Sequence, residues 1–384
     1  MNILVLTSAM IDQHFAIYQD KAKIKPNPSN QYFYSKLIKC LAIQNKVSVV
    51  TLRPMVKGMF AEKSLGIEKH ISNNATYYYS HVQAGMLYKT FSEISDVIRT
   101  AKEAINDLIG EKFVIVVDTL RYNLLRAAIK LGKMYNAKVV GMLTDNPFNL
   151  SGAKPSYASS LKNYALKCDG YLSLTQKMVD NLSPYTPCYI FEGLVDEEIE
   201  SKKAPISNYF FFAGSLYERY GVKRLVDAFH GSQCKNKLVI AGSGPLSKYI
   251  DKVANEDSRI LFLSQISKDK VTAYERSSIA NINPRPINKK LDSESVPSKL
   301  LEYISIGTPT ISTKYDKFYK LFNEDVYFID AEEATTLAYA LEDFEKLDQT
   351  ELKKKALVAK SKAFEFYGLD VQCEAITCFL NKIK

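Results

Sequence analysis

Along this sequence, apolar runs of four to seven residues alternate with longer segments of helical period, and the alternation stops once and then restarts. In the first half the strand-like runs are Asn2–Thr7, Val47–Leu52, Thr76–His81, Phe113–Asp118, Ala137–Leu143, Gly170–Ser173 and Cys188–Glu192. Helical patterns such as Tyr32–Ala42, Phe91–Ile109 and Tyr122–Met134 lie between them. Val114-Ile-Val-Val117 and Val139-Val-Gly-Met-Leu143 are apolar without alternation, as in parallel strands buried on both faces. Residues 193–207 are polar, charged and carry a Pro, and read as a linker. Strands then resume at Tyr209–Ala213, Lys237–Ala241, Ile260–Leu263, Ile279–Asn283, Thr308–Ser312 and Val326–Ile329, interleaved with helices and closed by helices near Thr350–Phe366 and Asp370–Ile383. Two βαβ domains follow: 1–195, a linker at 196–207, then 208–365, with a last helix in 366–384 placed to pack back on the first domain. Ligands of such sheets bind at the carboxyl ends of the strands.

Composition narrows the class. With 46% apolar and 24% charged residues the chain is globular, not disordered. No apolar run is long enough to cross a bilayer. The opening Met-Asn-Ile-Leu-Val-Leu-Thr lacks a basic leader and reads as the first strand of a cytosolic enzyme. Cys40, Cys168, Cys188, Cys234, Cys373 and Cys378 show no Cys-x-x-Cys spacing, and only four His are present, so neither a zinc site nor a disulfide framework is expected. The net charge of +9 divides as +5 in residues 1–200 and +4 beyond. That even spread argues against nucleic acid. It suits phosphorylated substrates or peripheral contact with an anionic membrane.

The most informative stretch is Glu294-Ser-Val-Pro-Ser-Lys-Leu-Leu-Glu302, followed by Tyr-Ile-Ser-Ile-Gly-Thr-Pro-Thr-Ile-Ser. Pro297 suits a first helical turn, Ser298–Ser305 continues the helix, and Gly307 stops it. The free N–H groups at its start favour an anion. Fully helical, Glu294 and Glu302 would be up to about 12 Å apart, too far to flank one bond but suited to gripping two ends of a long ligand.

This stretch resembles the donor-site signature of retaining glycosyltransferases of the GT-B fold, family 4. Phe212-Ala-Gly-Ser-Leu216, Leu238-Val-Ile-Ala-Gly-Ser-Gly-Pro245, Arg259-Ile-Leu-Phe-Leu263 and Tyr274-Glu-Arg-Ser-Ser278 resemble further parts of its second domain. The first domain matches more loosely, at Asp169-Gly-Tyr-Leu-Ser-Leu-Thr175 and Glu192-Gly-Leu-Val-Asp196. The resemblance implies two Rossmann-like domains whose parallel sheets face a central cleft. It implies sugar transfer from a nucleotide-diphospho-sugar, UDP-sugar first, to a hydroxyl acceptor with retention and without a metal or other cofactor. Glu294 would meet the donor sugar hydroxyls and Glu302 the ribose. The amides of Ser295 and Val296 would lie near the sugar and diphosphate. Gly214 would admit a phosphate, Gly242 and Gly244 would line the site, and Ile266 would hold the base through its main chain. The resemblance points to bacterial capsule or surface polysaccharide synthesis, with a glycan or lipid-linked saccharide acceptor on the cytoplasmic side.

The departures concern cations. Where the family has an Arg after the first glycine and a Lys before the next, this chain has Ser215 and Tyr220. The missing charge-assisted hydrogen bonds are worth roughly 1.5–3 kcal/mol each. Arg219, Arg285 and Lys299 are the candidate replacements. The Gly-Gly turn after the first strand is replaced by residues 8–30, read as a long loop carrying Lys21, Lys23 and Lys25. Asp145, in Thr144-Asp-Asn-Pro147, is the acceptor-side catalytic candidate, with Asp118 and Arg121 behind it. Two alternatives stay open: a catalytically silent nucleotide-binding partner subunit, and a nucleotide-sugar epimerase of the same architecture.

Overall fold

The computed structural model describes the chain apart from residues 27, 109–111, 150–153, 197–202, 288–295 and 331–332. It divides into two compact units: Met1–Leu194 with Tyr367–Lys384, and Val195–Asp292 with Pro297–Phe366.

The first unit is built on strands β1 (Asn2–Thr7), β2 (Lys46–Thr51), β5 (Ala75–Tyr79), β7 (Phe113–Asp118), β8 (Lys138–Leu143), β9 (Gly170–Ser173) and β10 (Cys188–Ile190). They pair in parallel, and β4 (Glu68–Ser72) adds antiparallel to β5. The order is β10-β9-β8-β7-β1-β2-β5-β4. A two-stranded ribbon pairs β3 (Ser64–Leu65) with β6 (Val82–Gln83). Ile3 to Leu6 of β1 are fully buried on both faces, as a central parallel strand requires. Ile3 and Val5 join one core with Leu37, Ile38 and Leu41, while Leu4 and Leu6 join a second with Val97, Ala101 and Leu125. At about 1.5–3 kcal/mol for each buried aliphatic side chain, these layers fix the register of the sheet.

The helices of this unit are α1 (Asp12–Lys21), α2 (Pro28–Ala42), α3 (Met86–Phe91), α4 (Glu93–Asn106), α5 (Tyr122–Tyr135), α6 (Pro155–Ala165) and α7 (Gln176–Leu182). Residues 8–30 are thus not one long loop. Asp12 sits in the first turn of α1, Lys21 in its last, and Phe15 and Tyr18 bury one turn apart on one face. The single pattern over Phe91–Ile109 also breaks, at Ser92, between α3 and α4.

The second unit holds β11 (Tyr209–Ser215), β12 (Lys237–Ser243), β13 (Ile260–Phe262), β14 (Ala280–Asn283), β15 (Thr310–Thr313) and β16 (Tyr327–Ile329). All pair in parallel, in the order β13-β12-β11-β14-β15-β16. Its helices are α8 (Val222–Gly231), α9 (Ser247–Glu256), α10 (Lys268–Ser277), α11 (Ser298–Ile306), α12 (Asp316–Phe322), α13 (Ala334–Lys346) and α14 (Gln349–Tyr367). The last helix, α15 (Leu369–Ile383), belongs to the first unit: Cys373, Ile376 and Leu380 enter its core, and Asn45 Nδ2 donates to Thr377 Oγ1 at 2.9 Å. All six cysteines are free; Cys378 is exposed.

Both sheets have doubly wound topology. Strand order reverses between β1 and β7 in the first unit and between β11 and β14 in the second. The carboxyl ends of those pairs are where a ligand is admitted.

Candidate functional site

In the second unit the reversal point is framed by close backbone contacts. Gly214 and Ser215 end β11 and pair with Gly242 and Ser243 of β12. Gly242 has φ +142°, and a Cβ there would lie 1.9 Å from the Gly214 carbonyl oxygen. A Cβ on Gly244 would lie 2.6 Å from the Leu216 oxygen. The Gly242 amide donates to Ser264 O at 2.8 Å, and that of Gly244 to Ser247 Oγ at 3.2 Å. These two glycines therefore bring the strand ends together and spend their own N–H groups inside the protein. On the other side, Gly221 (φ +75°) precedes α8, where a Cβ would lie 2.0 Å from Pro284 O. Arg224 also donates to that oxygen, at 2.6 Å.

Helix α11 supplies the charged part. Pro297 stands one residue before its first turn, and Gly307 (φ +80°) closes it with an N–H to Ile304 O at 3.0 Å. Val296 is half-buried just ahead of it. Glu294 and Ser295 lie outside the described residues. Glu302 Oε1 accepts from Lys268 Nζ, at the start of α10, and its Oε2 lies 2.7 Å from Lys299 Nζ. The same ammonium is 3.6 Å from Oε1 of fully buried Glu275. Burial works against the charge on Lys299, but the carboxylates of Glu302 and Glu275 outweigh it and raise the lysine's pKa. Lys299 is thus engaged by two carboxylates. A carboxylate in this setting is an acceptor only, and a hydroxyl is the kind of group it would bind.

The other cations differ in their freedom. Arg219 is exposed in a short 3-10 turn, its guanidinium 5.2 Å from the Tyr217 ring and 5.0 Å from that of Tyr220. Arg285 is half-buried beyond β14, and its carbonyl accepts from Thr313 Oγ1 at 2.6 Å. Ile266 is half-buried and packs beside Tyr209 and Phe211, in the segment that also carries Ser264. Lys268, Glu275 and Tyr303 were not among the site residues read from the sequence. Glu275 stands in the quoted Tyr274-Glu-Arg-Ser-Ser278, but nothing in its spacing links it to Lys299.

The first unit has its own polar cluster at the reversal point. Asp118, buried at the end of β7, accepts from Leu120 N–H at 2.9 Å and from Asn30 Nδ2 at 3.2 Å; Arg121 Nε is 4.0 Å away. Asn30, in the first turn of α2, also donates to Ser8 Oγ beyond β1, at 2.8 Å. Burial raises the Asp118 pKa, against the pull of Arg121, the Leu120 amide and Asn30. The adjacent Tyr34 hydroxyl is buried and pushed well above its usual range, first by burial and then by Asp118. Asp145 has a more local role, accepting the N–H of the next residue, Asn146, at 2.7 Å, while Asn146 Oδ1 accepts from Phe148 N at 3.0 Å. That is a turn-capping arrangement. Asn30 and Ser8 carried no sequence signal, because only the sheet topology brings them to Asp118.

Comparison with solved structures gives the fold. Sucrose-phosphate synthase from Thermosynechococcus elongatus superposes with a TM-score of 0.69 over 100% of both chains at 13% identity. An α,α-trehalose-phosphate synthase (UDP-forming) from Burkholderia xenovorans, in complex with glucose-6-phosphate, gives 0.70 over 99% of each chain at 10% identity. An E. coli trehalose-6-phosphate structure bound with UDP-2-fluoro glucose gives 0.66 over 99% of each chain at 11% identity. No curated protein matches the chain in sequence. Residues 196–362 match the family described as glycosyl transferases group 1, and the chain has a GT-B-like α/β fold of two Rossmann-like units.

Proposed function

We propose that the protein is a retaining glycosyltransferase that moves a sugar from a nucleotide-diphospho-sugar, UDP-sugar first, to a hydroxyl of a glycan or lipid-linked saccharide. The observation that carries this reading is Glu302, held between Lys268 and Lys299 on α11 within the segment that matches the group 1 family. In it, Glu302 accepts the ribose hydroxyls and Glu294 the sugar hydroxyls. The first amides of α11 with Arg219 or Arg285 neutralise the departing diphosphate, so that no metal is required. The acceptor oxygen bonds to the anomeric carbon on the face the diphosphate leaves. Its proton passes to the departing phosphate oxygen. Asp118, through Asn30 and Arg121, orders the acceptor side, with Asp145 as the notable alternative. The E. coli neighbour, with UDP-2-fluoro glucose bound, supports a UDP-sugar donor. We place the enzyme on the cytoplasmic side of bacterial surface or capsule polysaccharide synthesis.

Thermal stability against UDP, GDP, ADP and dTDP tests the reading, with Glu302→Ala as control. A nucleotide at 100 times its Kd stabilises by about 2.7 kcal/mol. A base-selective rise, lost in the variant, is expected. Ser215 and Tyr220 at the usual cation positions favour a second reading, a silent nucleotide-binding partner subunit. No shift with any nucleotide would favour it over transfer.

A further inference from the structure

Two buried thiols meet in the first unit. Cys40 lies near the end of α2 and Cys373 in the second turn of α15, and neither side chain reaches solvent. They share one core with Leu37, Leu41, Ile376 and Leu380. The thiols hydrogen-bond to each other, which raises the pKa of Cys40 and, against the effect of burial, lowers that of Cys373. Cys40 Sγ lies 3.6 Å from Leu369 O at the start of α15, and Cys373 Sγ 3.9 Å from Thr377 Oγ1 one turn on. The two sulfurs thus face each other across the packed helices, although they stand far apart in the sequence.

The elements they join are not interchangeable with others. Helix α2 carries Asn30, whose side chain bonds Asp118 and Ser8 at the strand reversal. Helix α15 is where the chain, after Phe366, has returned from the second unit to the first.

We propose that Cys40 and Cys373 form a reversible disulfide under peroxide, a staple that fastens α15 to α2 when the protein is oxidised. The Cys373 thiolate attacks one peroxide oxygen: the S–O bond forms, the O–O bond breaks, and the departing hydroxide takes up the proton that Cys373 released, giving water. The Cys40 sulfur then attacks the sulfenic sulfur: the S–S bond forms, the S–O bond breaks, and the hydroxyl leaves as a second water with the Cys40 proton. The two thiols lose two electrons and the peroxide gains them; a dithiol reverses the bond by exchange. Because both sulfurs are buried, peroxide reaches them as α15 opens from α2, and reclosure presents Cys40 to the sulfenic acid. The staple does not depend on the donor or acceptor assignments, and its test needs no transfer activity.

The experiment treats the folded full chain with hydrogen peroxide, alkylates the remaining thiols in denaturant and maps the peptides without reduction. A peptide pair joining Cys40 to Cys373 within one chain is expected, with two of the six cysteines protected from alkylation. The melting temperature should rise by roughly 5 °C or more and return with dithiothreitol. Cys378→Ser, which removes the exposed thiol, should leave the bridge intact. Cys40→Ala and Cys373→Ala should each abolish both the bridge and the thermal shift. Should either variant fail to fold, wild-type mapping in native buffer against urea decides alone. Cross-links through Cys378 only, sulfinic acid at Cys373 without a bridge, a bridge formed only in urea, or a bridge that leaves the melting temperature unchanged overturns the proposal.

Discussion

The hydroxyl of Tyr303 stands in for a missing strand partner at Ala213. The β11–β14 ladder ends at Phe211, opposite Asn281, and at Ala213 the hydroxyl accepts the amide N–H at 3.0 Å and donates to the carbonyl oxygen at 3.2 Å. Two strands can therefore part at the reversal point without stranding backbone groups, and α11 is pinned one residue from Gly214. Tyr303→Phe keeps the packing and removes both bonds. It should cost about 1–3 kcal/mol, read from the urea midpoint. Because the same bond positions Glu302, nucleotide stabilisation should fall as well. Loss of stability with nucleotide binding intact would separate the two roles.

The lysine between two glutamates makes a second test. Lys299→Met removes the ammonium 3.6 Å from fully buried Glu275 and 2.7 Å from Glu302. Breaking a buried pair from one side is costly, and about 3 kcal/mol is expected. Glu302 keeps Lys268, so the penalty falls chiefly on Glu275. Adding Glu275→Gln should then return most of the loss. A double-mutant cycle measures this directly, and additive losses would refute the coupling.

Acid should weaken the second unit through Asp257. Hydrogen bonding from the Arg259 guanidinium, against the opposing effect of burial, holds this carboxyl at about 2, below its ordinary 3.8. The unfolded chain then binds the proton more readily. The carboxylate's contribution is present above about pH 4 and drains away as the pH falls toward about 2. Arg259 also gathers Ser232 O and Cys234 O, both at 2.9 Å, just past the end of α8. Urea midpoints between about pH 7 and pH 3 should show a shallower acid limb in Asp257→Asn than in the wild type. Parallel curves would show that other groups set the acid sensitivity.

The sequence makes the parallel strands legible because each is a short apolar run, as in Phe113–Asp118 and Tyr209–Ser215. It hides Glu68–Ser72, whose Glu-Lys-His-Ile-Ser is an edge strand with one solvated face, and α1, whose buried face consists of Phe15 and Tyr18 alone. Within the site, Gly214, Gly242, Lys299 and Glu302 stand out through their local setting. Their partners do not. Lys268 reaches Glu302 across 34 positions, Tyr303 reaches Ala213 across 90, and Asn30 reaches Asp118 across 88. Such pairs exist only once the sheet order is known, and no local periodicity encodes them.

Close backbone approach at the reversal point gives the last prediction. Gly242→Ala and Gly221→Ala each place a Cβ about 2 Å from a carbonyl oxygen, of Gly214 and Pro284 respectively, at a positive φ. Neither oxygen belongs to a flexible side chain, so the strand ends or the α8 turn must separate. Both variants should melt earlier and lose nucleotide stabilisation together, since the same displacement opens the turn beside Gly214. Gly231→Ala is the control: it ends α8, a Cβ there meets nothing within 4 Å, and the change should be neutral or stabilising by up to about 1 kcal/mol. If all three variants behave alike, the glycines matter only for local flexibility. If only the first two fail, the contact between β11 and β12 and that between α8 and Pro284 are what shape the site.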